Sequence, residues 1–301
     1  MLYQFSDLIL ASDEPLPELR EVAEGVAEVT IAWCAPGEAR VHPTFAAWVT
    51  PSGGEWLTFA DDDGGYLLTF AEHTQFHVSR DAGHVEVRPS IATPPATTRH
   101  LLLNQVLPLV LSRRGRLVLH ASAVSWNGSV TAFIGRSGAG KSTMAAACAA
   151  AGALVVTDDC LVVRRDTACW LAVPCDAGVR LWPNTLDLLG WPRASGIGMA
   201  HYTDKRRVGA LHPSLQFETG VLPLSHMVRM TRPDAAVPAG PIHGRQAVMA
   251  LASELFRLDV RDPRESRWQF DAISALAAAV PMRAVAREHP TAAAEAVLCR
   301  M

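Results

Sequence analysis

The sequence contains no apolar segment long enough to cross a membrane as a helix. Its longest apolar stretch near the middle, 101–111, is interrupted by Asn104 and Pro108, whereas a membrane helix needs about 20 apolar residues. The N-terminus lacks the basic stretch that begins a signal peptide, and it reaches Asp7 early. We therefore expect a cytoplasmic protein that has no membrane partner.

Metal-binding cysteine pairs and a strong charge of one sign are also missing. The six cysteines include no Cys-x-x-Cys spacing, and none lies beside a histidine at a zinc-ligand interval. This pattern favours reduced, mostly buried thiols, as in the cytoplasm. The formal net charge is −3, which predicts no nucleic-acid partner because nucleic-acid-binding proteins carry a basic footprint. With 49% hydrophobic residues, the chain is expected to be globular and not disordered.

The first 90 residues are rich in short β-strand patterns. Runs of β-branched and aromatic residues alternate with clusters of Gly, Pro and Asp, and the clearest runs are 29–33, 55–59 and 66–70. The segment 91–98 has the composition of a linker. We therefore predict a β-rich N-terminal domain at 1–97 and a second domain at 98–301. In the second domain, one strand is expected at 117–124 and a helix at 244–258.

The most informative motif is a glycine-rich loop between a predicted strand and a predicted helix. The motif Gly135-x-x-x-x-Gly140-Lys141-Ser142 matches the complete P-loop pattern. The glycines let backbone N–H groups surround phosphates, Lys141 reaches the outer phosphates, and the Ser142 hydroxyl ligates Mg²⁺. We therefore predict that ATP and Mg²⁺ are bound by Gly135, Arg136, Ser137, Gly138, Ala139, Gly140, Lys141, Ser142 and Thr143.

Two adjacent aspartates follow the next predicted strand, at 154–157. In an α/β sheet, Asp158 and Asp159 would lie beside the phosphate loop, at the edge where ligands bind. One carboxylate is suited to hold Mg²⁺, and the other to accept a proton from an acceptor hydroxyl. The alternative is that the pair only caps the next turn. Asn127-Gly128 predicts a two-residue hairpin turn, so the strand that carries His120 is expected to pair with the strand that enters the loop. His120 is either a structural residue or part of the site.

The order of these elements resembles the kinase domain of bacterial HPr kinase/phosphorylase, whose nucleotide core is similar to that of phosphoenolpyruvate carboxykinase. The family also has a histidine ahead of the P-loop and paired aspartates after it. The resemblance implies that Asp159 is the catalytic base, that Asp158 is the carboxylate on the Mg²⁺ side together with Ser142, and that His120 neighbours the phosphates. Of the family's phosphorylase loop only Arg180 is retained, so phosphorolysis is not expected.

A second resemblance is to the HPr-kinase-related group found near peptide-modification genes, which includes lasso-peptide kinases. The segments that carry it are 12–17, 119–124, 138–143, 179–183 and 204–207. This resemblance implies that the partner is a peptide or protein substrate with an acceptor serine. It covers most of the chain, but the substrate follows from the family alone.

The basic triplet at 205–207 is either a solvated face or a mobile cationic loop that closes on the phosphates. In the second case Arg180 and Lys205 would neutralise charge on the transferring group. The sequence as a whole predicts an α/β fold, with a β-rich N-terminal domain before an HPr-kinase-like P-loop kinase domain. The function it predicts is an ATP-dependent serine kinase. A kinase for a small metabolite, a nucleotide-sensing module without turnover, and assembly into a homo-oligomer all stay open.

Replacing Lys141 with alanine is expected to nearly abolish phosphate transfer. Lys141 is the lysine that the motif places against the outer phosphates, and removing such a contact typically lowers turnover by about 10²-fold or more. The measurement is turnover of radiolabelled ATP by the purified, folded variant. A variant that keeps more than about a tenth of wild-type turnover would show that the P-loop assignment is wrong.

Overall fold

The structure is a computed structural model that describes residues 1–50, 53–231, 239–286 and 290–299. Two compact units make up the chain. The first unit comprises Met1–Gly115, Met199–Thr203 and Arg257–Val260; the second comprises Arg116–Gly198, Asp204–Phe256 and Arg261–Met301. The first unit thus extends past residue 97 and includes two short segments from much later in the sequence. Linker composition marks a break in local structure, whereas these units are defined by packing.

The first unit is built on one mixed sheet. Over the described residues its strands are β1 (Leu2–Phe5), β2 (Leu8–Ser12), β3 (Arg20–Glu21), β4 (Val29–Trp33), β5 (Thr44–Val49), β6 (Glu55–Asp62), β7 (Gly65–Phe70), β8 (Thr74–Ser79) and β9 (His84–Pro89). Their order in the sheet is β3-β1-β2-β4-β9-β8-β7-β6-β5. The two end strands are therefore β3 and β5.

A helical segment follows this sheet and belongs to the same unit. It consists of α1 (Pro95–Leu101), a π-helical turn (Leu102–Val106) and α2 (Leu107–Arg113). In α1, the Thr98 hydroxyl lies 3.2 Å from that of Thr74 in β8. Aromatic residues fill the core, and the rings of Phe70 and Phe76 meet edge to face with centroids 5.7 Å apart.

After Gly115 the chain is mixed α/β. The strands over the described residues are β10 (Leu117–Leu119), β11 (Ser122–Trp126), β12 (Ser129–Ile134), β13 (Leu154–Thr157), β14 (Leu161–Arg165), β15 (Trp170–Val173), β16 (Gly178–Leu181), β17 (Ile197–Ala200), β18 (Thr203–Gly209), β19 (Leu222–Thr231), β20 (Gly240–Ile242) and β21 (Met282–Ala286). The helices are α3 (Lys141–Ala150), α4 (Pro183–Leu188), α5 (Gly244–Ala252), α6 (Pro263–Ala279) and α7 (Pro290–Leu298). No helix among the described residues is long and apolar enough to span a membrane.

In the main sheet of the second unit, β12 is an inner strand between β19 and β11. The order is β10-β14-β15-β19-β12-β11-β13, with β21 pairing with both β19 and β20. Ala132 and Ile134 of β12 belong to a core cluster with residues of α5 and α6, whereas Phe133 belongs to a cluster with residues of α3 and α7. Because β12 is buried on both faces, its end is a rigid support for the loop that follows it.

The turn that leads into β12 confirms a sequence prediction. β11 and β12 are antiparallel, and Trp126 pairs with Ser129 across a two-residue turn. Asn127 has a φ of 51° and Gly128 a φ of 78°. Positive φ at both central residues is what a tight hairpin of this twist requires, and Asn-Gly supplies it at low cost.

Two predictions of secondary structure need correction, and both concern segments that meet beside His120. The strand predicted at 117–124 is divided, because β10 pairs with β14 while β11 pairs with β12 and β13. His120 lies at the break. The helix predicted at 244–258 ends at Ala252, because Leu255 forms a bridge to Leu119. Backbone pairing with β10 outweighs the helical pattern of those residues.

Candidate functional site

The glycine-rich loop connects the end of β12 with the start of α3. Gly138 and Gly140 have φ angles of 79° and 102°, a region that glycine enters without the steric cost of a Cβ atom. Gly135 has no room for a side chain, since a Cβ there would lie 2.6 Å from the Met230 carbonyl oxygen. The Lys141 ammonium donates to the Gly135 carbonyl oxygen at 2.6 Å. The lysine is therefore folded back across the loop that it belongs to.

A cavity of about 510 Å³ opens at this loop. It is lined by His120, Ser137, Gly138, Ala139, Gly140, Lys141, Ser142, Thr143, Asp159, Arg180, Trp182, Pro183, Asn184, Thr185, Arg193, Asp204 and Lys205. Most residues predicted for the site therefore converge here. Three are not part of the lining: Gly135 is buried, Arg136 is exposed, and Asp158 is fully buried.

Asp158 is held inside the second unit by hydrogen bonds to both of its carboxylate oxygens. The Ser122 hydroxyl donates to one oxygen at 2.5 Å, and the backbone N–H of Arg180 donates to the other at 2.8 Å. Burial and the neighbouring Asp159 charge raise the pKa of Asp158, and these donors oppose that rise. The role of Asp158 as a Mg²⁺ ligand stays a prediction. Because the Asp158 side chain is fully buried, Asp159 is the better placed of the two to contact a ligand.

Asp159 lines the cavity instead. Its φ of 66° is unusual for a residue other than glycine, and aspartate is among the side chains that tolerate it. His120 Nε2 lies 3.4 Å from one carboxylate oxygen of Asp159, and Arg180 Nε lies 3.8 Å from the other. Burial raises the pKa of Asp159, but the hydrogen bond with His120 and the charges of His120, Arg180 and Lys205 outweigh it and hold the pKa below its usual range. The carboxylate is therefore ionised.

Arg180 is a buried residue that organises this turn. Its guanidinium donates to the Asp158 carbonyl oxygen at 2.7 Å and to the Asp176 carboxylate at 2.7 Å. Burial lowers the pKa of Arg180, but the charges of Asp176, Asp159 and Asp158 outweigh it and raise the pKa. Both terminal nitrogens of Arg180 already donate to protein oxygens. The role of Arg180 in neutralising a transferring phosphate stays a prediction.

Asp176 was not singled out from the sequence. Its carboxylate accepts from Arg180 and also from Arg207, at 3.1 Å, so it joins β18 to the turn that carries Asp159. The available signal was the spacing of Asp176 and Arg180, four residues apart. That spacing is typical of an ion pair on a helix. Here, however, Asp176 precedes the strand β16 and Arg180 lies within it.

The basic triplet lies in a strand, and its three members differ. Arg206 donates to the carbonyl oxygens of Ser195 and Gly196, whereas Arg207 pairs with Asp176. Lys205 lines the cavity, and its ammonium lies 5.6 Å from the centre of the Trp182 ring. The prediction of a mobile cationic loop is therefore replaced by one cavity-facing lysine on the strand β18.

The residues at the loop can be tested for their fit to Mg²⁺. No group of three or more His, Cys, Asp or Glu side chains suited to a metal ion occurs in the part of the chain that the structure describes. Mg²⁺ beside a nucleotide needs no such group, because one or two protein oxygens and the phosphates hold it together with water. The Ser142 hydroxyl lines the cavity at the loop, so a donor suited to an ion bound together with phosphates is present.

The different placement of the two aspartates predicts different effects on stability. In Asp158→Asn, the side-chain amide can accept through one oxygen only, so the Ser122 or Arg180 donor is left unpaired, at a cost of about 1–3 kcal/mol. Asp159→Asn changes a side chain that reaches the cavity and is expected to cost less. Urea titration of each full-length variant gives the two free energies of unfolding. An equal or larger loss for Asp159→Asn would contradict the placement of Asp158.

Comparison with known proteins gives a weak structural likeness. No family model matches the sequence, and no curated protein sequence matches it. The chain is similar to the structure of the Hpr(Ser) kinase/phosphatase from Coxiella burnetii, with 13% sequence identity and a TM-score of 0.37. The match covers 61% of this chain and 93% of that chain. A likeness at this level assigns no function, and the kinase resemblance carried by the motifs stays a prediction.

Proposed function

We propose that the chain is an ATP-dependent kinase that transfers the γ-phosphate of ATP to a serine hydroxyl of a peptide or protein. The observation that carries the proposal is that Lys141 and Asp159 line one cavity at the glycine-rich loop. One supplies a cation suited to the outer phosphates, and the other supplies an ionised carboxylate suited to the acceptor hydroxyl. His120 contacts the Asp159 carboxylate and is the third member of this set of side chains.

In the proposed reaction, the acceptor oxygen attacks the γ-phosphorus. The bond from that phosphorus to the oxygen of ADP breaks as the new O–P bond forms, and the hydroxyl proton passes to Asp159. A carboxylate with a lowered pKa is a weak base before the reaction begins. It is suited to orient the hydroxyl and to take the proton late, as expected for a loose transition state.

The charge on the phosphates is balanced by the surrounding residues. When bound, Mg²⁺ would be held by the Ser142 hydroxyl together with the phosphate oxygens, whose charge it would neutralise. Lys141 is tied to Gly135 by one hydrogen bond, and an ammonium has two further N–H donors. Lys205 lines the same cavity, and its ammonium lies 5.6 Å from the centre of the Trp182 ring. It is therefore placed to add a further positive charge beside the phosphates.

The peptide acceptor rests on the sequence resemblance and on one feature of the first unit. β5 ends the sheet of that unit, and within the described residues it pairs with β6 alone. Its sequence is mostly apolar, and Ala47 and Val49 are exposed. An extended peptide can add to such an edge as a further strand. A small metabolite has no extended main chain to pair with this edge, so the edge favours a peptide acceptor.

Asp159→Asn is expected to lower turnover by about 10²-fold or more, because asparagine is nearly the same size but does not accept the proton. The affinity for ATP is expected to stay within several-fold, since the loop and Lys141 are unchanged. Single-turnover assays with radiolabelled ATP and equilibrium titration with a fluorescent ATP analogue measure the two quantities. Asp166→Asn is the matched control, because Asp166 lies in an exposed turn. Normal turnover in the Asp159 variant would exclude this residue as the base.

The acceptor class is tested by offering the full-length protein radiolabelled ATP with a serine-containing peptide library, or with free sugars and nucleosides. We expect labelled peptide, with mass spectrometry showing phosphate on serine. Efficient labelling of a sugar or nucleoside with no labelled peptide would replace the proposal with a metabolite kinase. ATP binding without transfer to any acceptor would indicate a nucleotide-sensing module.

A further inference from the structure

Residues 254–256 pair with β10 and His120 through main-chain hydrogen bonds. The His120 N–H donates to the Glu254 carbonyl oxygen at 2.7 Å, and the Phe256 N–H donates to the Val118 carbonyl oxygen at 3.2 Å. From α6, the buried Gln269 amide donates to the Phe256 carbonyl oxygen at 3.2 Å. The main chain of this segment is therefore fixed on both sides.

This pairing brings the Glu254 side chain to the His120 ring. Glu254 Oε2 lies 3.9 Å from His120 Nδ1, on the side opposite to the contact between His120 Nε2 and Asp159. The Phe256 ring meets the imidazole edge to face, with centroids 6.1 Å apart. The imidazole therefore lies between two carboxylates, with an aromatic ring beside it.

The Glu254 carboxylate is buried at a cost that its surroundings must offset. The residue is 5% exposed, and a buried carboxylate is unfavourable unless polar groups face it. The Ser253 hydroxyl donates to its Oε1 at 3.3 Å, and the His120 ring faces its Oε2. A separation of 3.9 Å is an ion-pair distance and exceeds a hydrogen bond. Contacts of this kind often tighten when a substrate binds.

We infer that Glu254 is a positioning residue that holds the His120 ring against Asp159. The inference rests on the proposed kinase function. Glu254 attracts the Nδ1 edge of the imidazole and so directs the Nε2 edge to the Asp159 carboxylate. A ring without this restraint can rotate or tilt away, and Asp159 then loses a donor that orients it for the acceptor hydroxyl. Carboxylates behind functional histidines commonly fix ring orientation in this way.

The competing explanation is that Glu254 serves only the backbone of this segment. The structural hydrogen bond of Glu254 uses its carbonyl oxygen, and Glu254→Gln keeps that oxygen and the size of the side chain. The substitution removes only the carboxylate charge that faces His120. The variant therefore separates the side-chain role from the backbone role.

The test is a double-mutant cycle in the full-length protein, with Glu254→Gln, His120→Gln and the double variant compared with wild type. We expect Glu254→Gln to lower kcat by about 10-fold and to leave KM for ATP within about 2-fold, because the loop is not changed. In the His120→Gln background, the same substitution is expected to change kcat by less than about 2-fold. Glu218→Gln is the matched control. Glu218 is a partly buried glutamate whose carboxylate accepts a hydrogen bond from Ser125, and it does not line the cavity.

Two results would overturn the inference: wild-type kcat in Glu254→Gln, or an equal loss of kcat with and without His120. If Glu254→Gln does not fold, Glu254→Asp replaces it, and the shorter carboxylate is expected to lower kcat only while His120 is present. A wild-type protein that binds ATP but transfers no phosphate would instead contradict the proposed function. In that case the inference fails together with the function, and the cycle distinguishes this outcome from the first two.

Discussion

The site depends on the buried ion pair between Arg180 and Asp176. Both side chains are 2% exposed, and Nη2 of the arginine lies 2.7 Å from the carboxylate. Removing one partner of such a pair leaves an unpaired buried charge, at a cost of about 3–5 kcal/mol. The pair therefore fixes the guanidinium, which in turn holds the main chain of Asp158. The position of the Asp158–Asp159 turn follows from this contact.

Two adjacent aspartates acquire different chemistry from that turn. Asp158 faces inwards, where Ser122 and the Arg180 backbone occupy its oxygens. Asp159, with its positive φ, faces the cavity and lies beside His120. The environments shift the two pKa values in opposite directions, and such divergence is how neighbouring acids come to perform separate tasks. One aspartate maintains the geometry, and the other is available to a substrate.

Much of the local structure could be predicted from the sequence, because its signals are local. The mixed α/β class with large sheets agrees with the prediction, and the Asn127-Gly128 hairpin is confirmed by its register and φ angles. Residue types alone also pointed to the group that lines the cavity. Sequence spacing could not reveal which aspartate faces inwards, since that depends on a backbone angle at Asp159 and on donors from distant strands.

Most of the contacts missed from the sequence are long-range. Glu254 reaches His120 only because the helical pattern at 244–258 gives way to pairing with β10, which is decided by tertiary contacts and not by propensity. Asp176 gains its role from the pairing of β16 with β18, which brings Arg207 beside it. The inclusion of 199–203 and 257–260 in the first unit likewise follows from packing that no local pattern encodes.

The proposed function requires the glycine-rich loop and Asp159 to act on the same phosphate. A crystal structure of the full-length protein with a non-hydrolysable ATP analogue and Mg²⁺ would show whether they do. We expect the terminal phosphate between Lys141 and Asp159, with the lysine ammonium released from Gly135 and about 3 Å from a phosphate oxygen. A nucleotide bound elsewhere, or one whose terminal phosphate lies on the far side of the cavity from Asp159, would contradict it.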